Sequence, residues 1–146
     1  MDLIQANGQP RYGRFSQLPS SISLDQYEYK TPYGEVLQGW RKKLKYKKFK
    51  FCSIQHEHYS IGLAIVDIGW AGHAFFYIYD HANEQVQQWN AIQPFGYRTH
   101  LDEQPLYNQS HFYKSPFTIE IQHANGVRYI RITRHGEIKL SARMFC

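Results

Sequence analysis

The stretch Lys47–Ile92 leaves this chain few folds to choose from. It reads KKFKFCSIQHEHYSIGLAIVDIGWAGHAFFYIYDHANEQVQQWNAI. Short apolar runs alternate with turn formers at intervals too brief for a crossover connection, so consecutive strands must be antiparallel neighbours. The pattern predicts strands at about 47–55, 58–68, 73–80 and 84–92. In the first, Phe49 and Phe51 alternate with Lys48 and Lys50, as in a strand with aromatics in the core and lysines in water. In the second, Ile61, Leu63 and Ile65 share one face, and Gly62, Ala64 and Val66 the other, so both faces must be covered. In the third, Phe75, Tyr77 and Tyr79 oppose Phe76 and Ile78. The turn Asp67-Ile68-Gly69-Trp70-Ala71-Gly72 joins the two most apolar strands.

The flanking segments extend this pattern. Residues 1–46 are rich in turn formers and show no helical period, with short alternating pieces around Ser23–Lys30 and Glu35–Trp40 as candidate edge strands. Residues 93–114 read as a long connection, and Pro116–Gln122, Val127–Arg134 and Glu137–Phe145 as three further strands. Asn125-Gly126 is a strong type I′ hairpin signal. The expectation is one all-β domain over 1–146: an irregular N-terminal segment (1–46), a core meander (47–92) and a C-terminal meander (115–146). Seven or eight antiparallel strands would form a partial barrel or a strongly curved sheet. Tyr and Phe, 12 and nine of the 146 residues, suit such half-buried pleated surfaces.

Charge is concentrated in one place. Arg41, Lys42, Lys43, Lys45, Lys47, Lys48 and Lys50 are seven of the 17 basic residues; without them 10 basic groups face 12 acidic ones. No apolar run approaches a membrane span and the N-terminus lacks signal-peptide features, so a cytoplasmic, soluble protein is expected. Cys52 and Cys146 are too few for a disulfide framework and are expected as free thiols in a reducing compartment.

Several motifs together resemble a known family. They are Gly39-Trp40-Arg41, the Lys-aromatic strand Lys47–Phe51, Leu63 through Gly72, and Phe76-Tyr77-Ile78-Tyr79-Asp80. They resemble an uncharacterised, mainly bacterial family catalogued as a domain of unknown function, marked by a Gly-Trp-x-Arg stretch and an Asp-hydrophobic-Gly-Tyr turn. The resemblance covers roughly residues 35–95. Family members are about twice this length, which implies that the chain is an N-terminal half. The family is more distantly similar to lipocalin-like hydratase and cyclase proteins that act on isoprenoids. That implies a lipocalin-like barrel and an apolar substrate.

Each candidate site has a functional and a structural interpretation. Asp67, at the end of an apolar strand, is either a proton donor in an apolar cavity or an acceptor for backbone N–H groups of its own turn; the turn is favoured. Gly62 marks either a bulge or a place where a ligand nears the backbone. His56 and His58 flank a hairpin tip without joining a metal-ligand set, so neither metal nor cofactor is expected.

Two functions follow. In the first, the protein binds an apolar small molecule, lipid or isoprenoid, in a cavity lined by Tyr59, Gly62, Phe75, Tyr77 and Tyr79, with Trp70 and Trp89 near its rim. A hydratase- or cyclase-type enzyme with Asp67 as acid is a variant of it. In the second, Arg41–Lys50 forms a basic, aromatic-interleaved surface for nucleic acid or anionic membrane. The structural alternative for that strip is a lysine-protected edge strand. The final strand, Glu137–Phe145, has an uncovered edge in this scheme, and self-association through it is expected.

Overall fold

The computed structural model is all-β and describes residues 1–105 and 107–145, Phe145 by its backbone alone. After a single 3-10 turn at Leu24–Gln26, strands β1 (Tyr29–Lys30) and β2 (Val36–Leu37) form a small hairpin, followed by helix α1 (Gly39–Lys45). Strands β3 (Lys48–Gln55), β4 (Tyr59–Asp67), β5 (Ala71–Asp80) and β6 (Gln85–Pro94) then make a four-stranded antiparallel meander. Strands β7 (Thr99–His100), β8 (Asn108–Lys114), β9 (Phe117–Ala124), β10 (Val127–Arg134) and β11 (Glu137–Phe145) make a five-stranded one. The expected antiparallel meander therefore forms, divided into two sheets. Among the described residues no ladder joins β6 to β7 or β11 to β3, and no barrel closes.

One apolar cluster holds the two sheets together. Leu63, Ile65, Ala74 and Phe76 enter it from the first sheet, and Phe112, Ile119, Ile121, Ile130 and Ile132 from the second. All of these are essentially inaccessible to solvent. Trp89 extends the cluster by stacking on Phe76, with centroids 5.2 Å apart. The C-terminal hairpins turn as their sequences require. Asn125-Gly126 takes φ of 52° and 70°, and His135-Gly136 takes 52° and 79°, the paired left-handed angles of type I′ turns.

Strand β3 faces the opposite way from the sequence expectation. Its register pairs Cys52 with Leu63 and Phe51 with Ala64. Cys52 and Ile54 therefore share the face of Leu63, and the two-residue period puts Lys50 and Lys48 there too. The Lys50 ammonium donates to Asn108 Oδ1 (2.6 Å) and to Ser110 Oγ (2.8 Å) on β8, and Lys48 pairs with Glu103 (2.6 Å). Phe49 and Phe51 lie stacked on the outer face, 63% and 45% exposed. Burial pushes the Lys50 pKa down, and its polar partners replace the lost water.

Two further expectations are corrected. The supposed connection 93–114 contains β7 and β8, whose core side carries Ser110 beside Phe112. The segment 1–46 is not wholly irregular, since the Glu35–Trp40 piece splits between β2 and α1. Arg41, Lys42, Lys43, Leu44 and Lys45 are unbranched at Cβ and favour helix, in a run too short to show a period. The basic strip is thus a helix followed by a strand, with Lys47 between them, and not a single edge strand. The free-thiol expectation for Cys146 lies outside the described residues. Cys52 is buried, and Arg128 Nη1 approaches its sulfur at 3.8 Å.

The inverted strand makes a paired prediction. Lys50→Ala should cost about 1–3 kcal/mol of stability, because it removes two charge-assisted hydrogen bonds that tie β3 to β8. Phe49→Ser should cost less than about 0.5 kcal/mol, because its ring is in water. Urea denaturation of both variants checks this, and the reverse order would restore the sequence-based facing. Gly69, at φ 83°, supports a second prediction. A Cβ there would lie 2.9 Å from both Leu44 Cα and Lys43 O, so Gly69→Val combines backbone strain with a clash against α1. It should destabilise by about 1–3 kcal/mol in the same assay.

Candidate functional site

Asp67 closes β4 at the β4–β5 turn. Its Oδ1 accepts a hydrogen bond from the Gly69 N–H at 2.8 Å, while Ile68 N–H bonds Ala71 O. The half-buried carboxylate is thereby committed to the turn, as the Asx geometry of the sequence implied.

The seven expected cavity residues go to four places. Gly62, Phe75, Tyr77 and Tyr79 lie on the outer face of the four-stranded sheet, in rows fixed by Gly62↔Tyr77, Ala64↔Phe75 and Ser60↔Tyr79. The Tyr77 ring itself covers Gly62; a Cβ there would sit 2.3 Å from it, so the close approach is made by a side chain of this protein. Trp89 faces inward on Phe76 and carries the Arg134 guanidinium 5.8 Å from its ring centre. Trp70, 58% exposed, projects from the β4–β5 turn. Tyr59 borders one inter-sheet opening, and Trp89 borders another, between β6 and the β8–β9 turn.

The opening beside Tyr59 is a cleft of about 360 Å³ at the end of the sandwich opposite the Asp67 turn. Tyr59 and Ile61 of β4, Ile78 of β5 and Leu140 of β11 form its walls. Asp80, Gln85, Gln87 and Lys139 stand at its edge. Asp80 is held by the β5–β6 turn, accepting from the Asn83 side chain and the Ala82 and Asn83 N–H groups, which lowers its pKa. Lys139 pairs with Glu137 at 2.7 Å. The cleft therefore offers apolar walls and a polar, charged edge.

The outer face of the five-stranded sheet is polar, and the sequence reading singled out none of it. Register sets His111, Glu120, Arg131 and Ser141 in one row and Gln109, Gln122, Tyr129 and Arg143 in the next. Tyr113 O–H donates to Glu120 Oε1 at 2.5 Å, and His111 stacks on Tyr113 at 4.5 Å. The period-two alternation of β8 and β9 carried that information, but β8 had been assigned to a connection.

The basic residues separate on folding. Arg41 pairs with Glu35, and Lys42 donates to Asp25 O while lying over the Tyr46 ring. Lys43, Lys45 and Lys47 extend into solvent. His56 and His58 sit at the β3–β4 tip as expected, with His58 N–H donating to His56 Nδ1. Among the described residues no helix is long and apolar enough to cross a membrane.

Tyr113 gives a pH prediction. The hydrogen bond to Glu120, aided by burial and the carboxylate charge, pushes its pKa up to about 12 from 10.0. The folded state thus keeps a proton that the unfolded state loses above pH 10.0. This contribution to stability is intact below pH 10.0 and is lost as the pH climbs towards about 12. In Glu120→Gln the phenol should ionise closer to its ordinary value. Difference absorbance titration of phenolate between wild type and variant should show one tyrosine shifting downwards; superimposable curves would refute the bond.

No curated protein matches the chain, and no solved structure does. The family model described as "Domain of unknown function (DUF2804)" matches residues 2–145. The all-β chain with the Asp67 turn at its centre belongs to that family of uncharacterised domains.

Proposed function

We propose that this protein binds one apolar small molecule, lipid- or isoprenoid-like, in the inter-sheet cleft beside Tyr59. The observation that carries the reading is the composition of that cleft. Tyr59, Ile61, Ile78 and Leu140 make apolar walls around about 360 Å³, near the lower end of the usual range for small-molecule sites. Lys139, Asp80 and the two glutamines at the mouth would keep a polar head group in water while a tail enters between the sheets. Binding without chemistry fits this arrangement. Asp67, the candidate acid, lies at the far end of β4 and is bound to its own turn.

The test uses a fluorescent fatty acid such as cis-parinaric acid. Wild-type protein should saturate with one site, and the affinity should hold as salt is added. Tyr59→Ser and Leu140→Ser should each weaken binding by roughly tenfold, the worth of an apolar side chain in contact. Phe51→Ser, on the outer face, should leave it unchanged. Loss of binding in Phe51→Ser but not in the cleft variants would overturn the assignment.

A further inference from the structure

One end of the molecule combines exposed apolar side chains with unpaired lysines. Phe95 N–H donates to Trp70 O at 2.7 Å, so the β6–β7 and β4–β5 turns lie side by side. Phe95 is 80% exposed and Trp70 58%. Phe95 also holds a left-handed φ of 52°, a costly conformation for an aromatic residue. The last outer-face row before these turns is Phe49–Val66–His73–Ile92, whose ends, Phe49 and Ile92, are 63% and 55% exposed. The C-terminal turn of α1 abuts Gly69 of the same end through Lys43 and Leu44. Lys47 immediately precedes β3 there. Among the described residues, Lys43, Lys45 and Lys47 make no ion pair with a carboxylate.

We infer that this end docks on an anionic lipid bilayer. Trp70 and Phe95 would enter the interfacial zone, where aromatic rings are favoured, while Lys43, Lys45 and Lys47 meet anionic head groups. Exposed apolar side chains gathered at one end beside cations fit a surface that is apolar and negative at once. Nucleic acid would satisfy the lysines and stack on Trp70 and Phe95, but it leaves the aliphatic Ile92 without a partner. This inference concerns the end opposite the cleft and stands whether or not the cleft takes a ligand.

The test is vesicle co-sedimentation of the full chain. Vesicles of phosphatidylcholine with about one third phosphatidylserine should retain the protein, and pure phosphatidylcholine vesicles should retain far less. Each lysine near such a surface is worth roughly fivefold in affinity, so Lys43→Gln, Lys45→Gln and Lys47→Gln combined should weaken binding by on the order of a hundredfold. Trp70→Ser with Phe95→Ser should also release the protein, and both positions are exposed enough to leave the fold intact, as circular dichroism would verify. Equal retention on neutral and anionic vesicles would overturn the proposal. So would retention unaffected by Trp70→Ser with Phe95→Ser. Absence of vesicle binding alongside salt-sensitive binding to a single-stranded oligonucleotide would overturn it in favour of nucleic acid.

Discussion

The contact that orients everything else is the Lys50 ammonium between Ser110 and Asn108. It ties the outermost strand of one sheet to a strand near the far edge of the other, through side chains 58 and 60 residues apart in sequence. A lysine turns inward only where its charge finds acceptors, and the second sheet supplies two. With Lys50 inward, the period of the strand forces Phe49 and Phe51 outward. That single choice removes two of the expected aromatics from the interior. It leaves aromatics such as Phe76, Phe112 and Trp89 packed among aliphatic side chains between the sheets, and it puts a stacked pair of rings on the outer face.

Much of the fold was legible because its signals are local. The strands β4 and β5 came from two-faced apolar runs, and the turns at Gly69 and Asn125-Gly126 from residues that tolerate positive φ. The strand β8 was illegible for a physical reason. Ser110 fills a core position only because a lysine from a distant strand bonds it, and nothing near residue 110 announces that partner. The facing of β3 failed likewise. Two phenylalanines outweighed Cys52 and Ile54 in the pattern, yet the latter pair lies opposite Leu63 and Ile61.

The candidate site was legible residue by residue but not as a constellation. Tyr59 does border the apolar cleft, while Ile78 and Leu140, its facing walls, come from strands whose mutual placement depends on sheet packing. Phe75, Tyr77 and Tyr79 were correctly placed on one face, but the sheets separated that face from the interior. Asp67 was the exception, because its partner is two residues away and its geometry is written into the turn.

The two C-terminal turns have a kinetic consequence. Strands β9, β10 and β11 are joined by two-residue loops, so their ladders close at a small entropic cost. Contacts of low sequence separation form fastest, and this three-stranded unit holds Ile119, Ile121, Ile130 and Ile132 on a single face. Such a unit offers a ready apolar template before the first sheet arrives. The junction of Lys50 with Ser110 spans a much longer loop, so the order of assembly runs from local hairpins to the inter-sheet bond. The local β3–β4 register sets which face of β3 turns inward, and the Lys50 bond to β8 then locks that facing between the sheets.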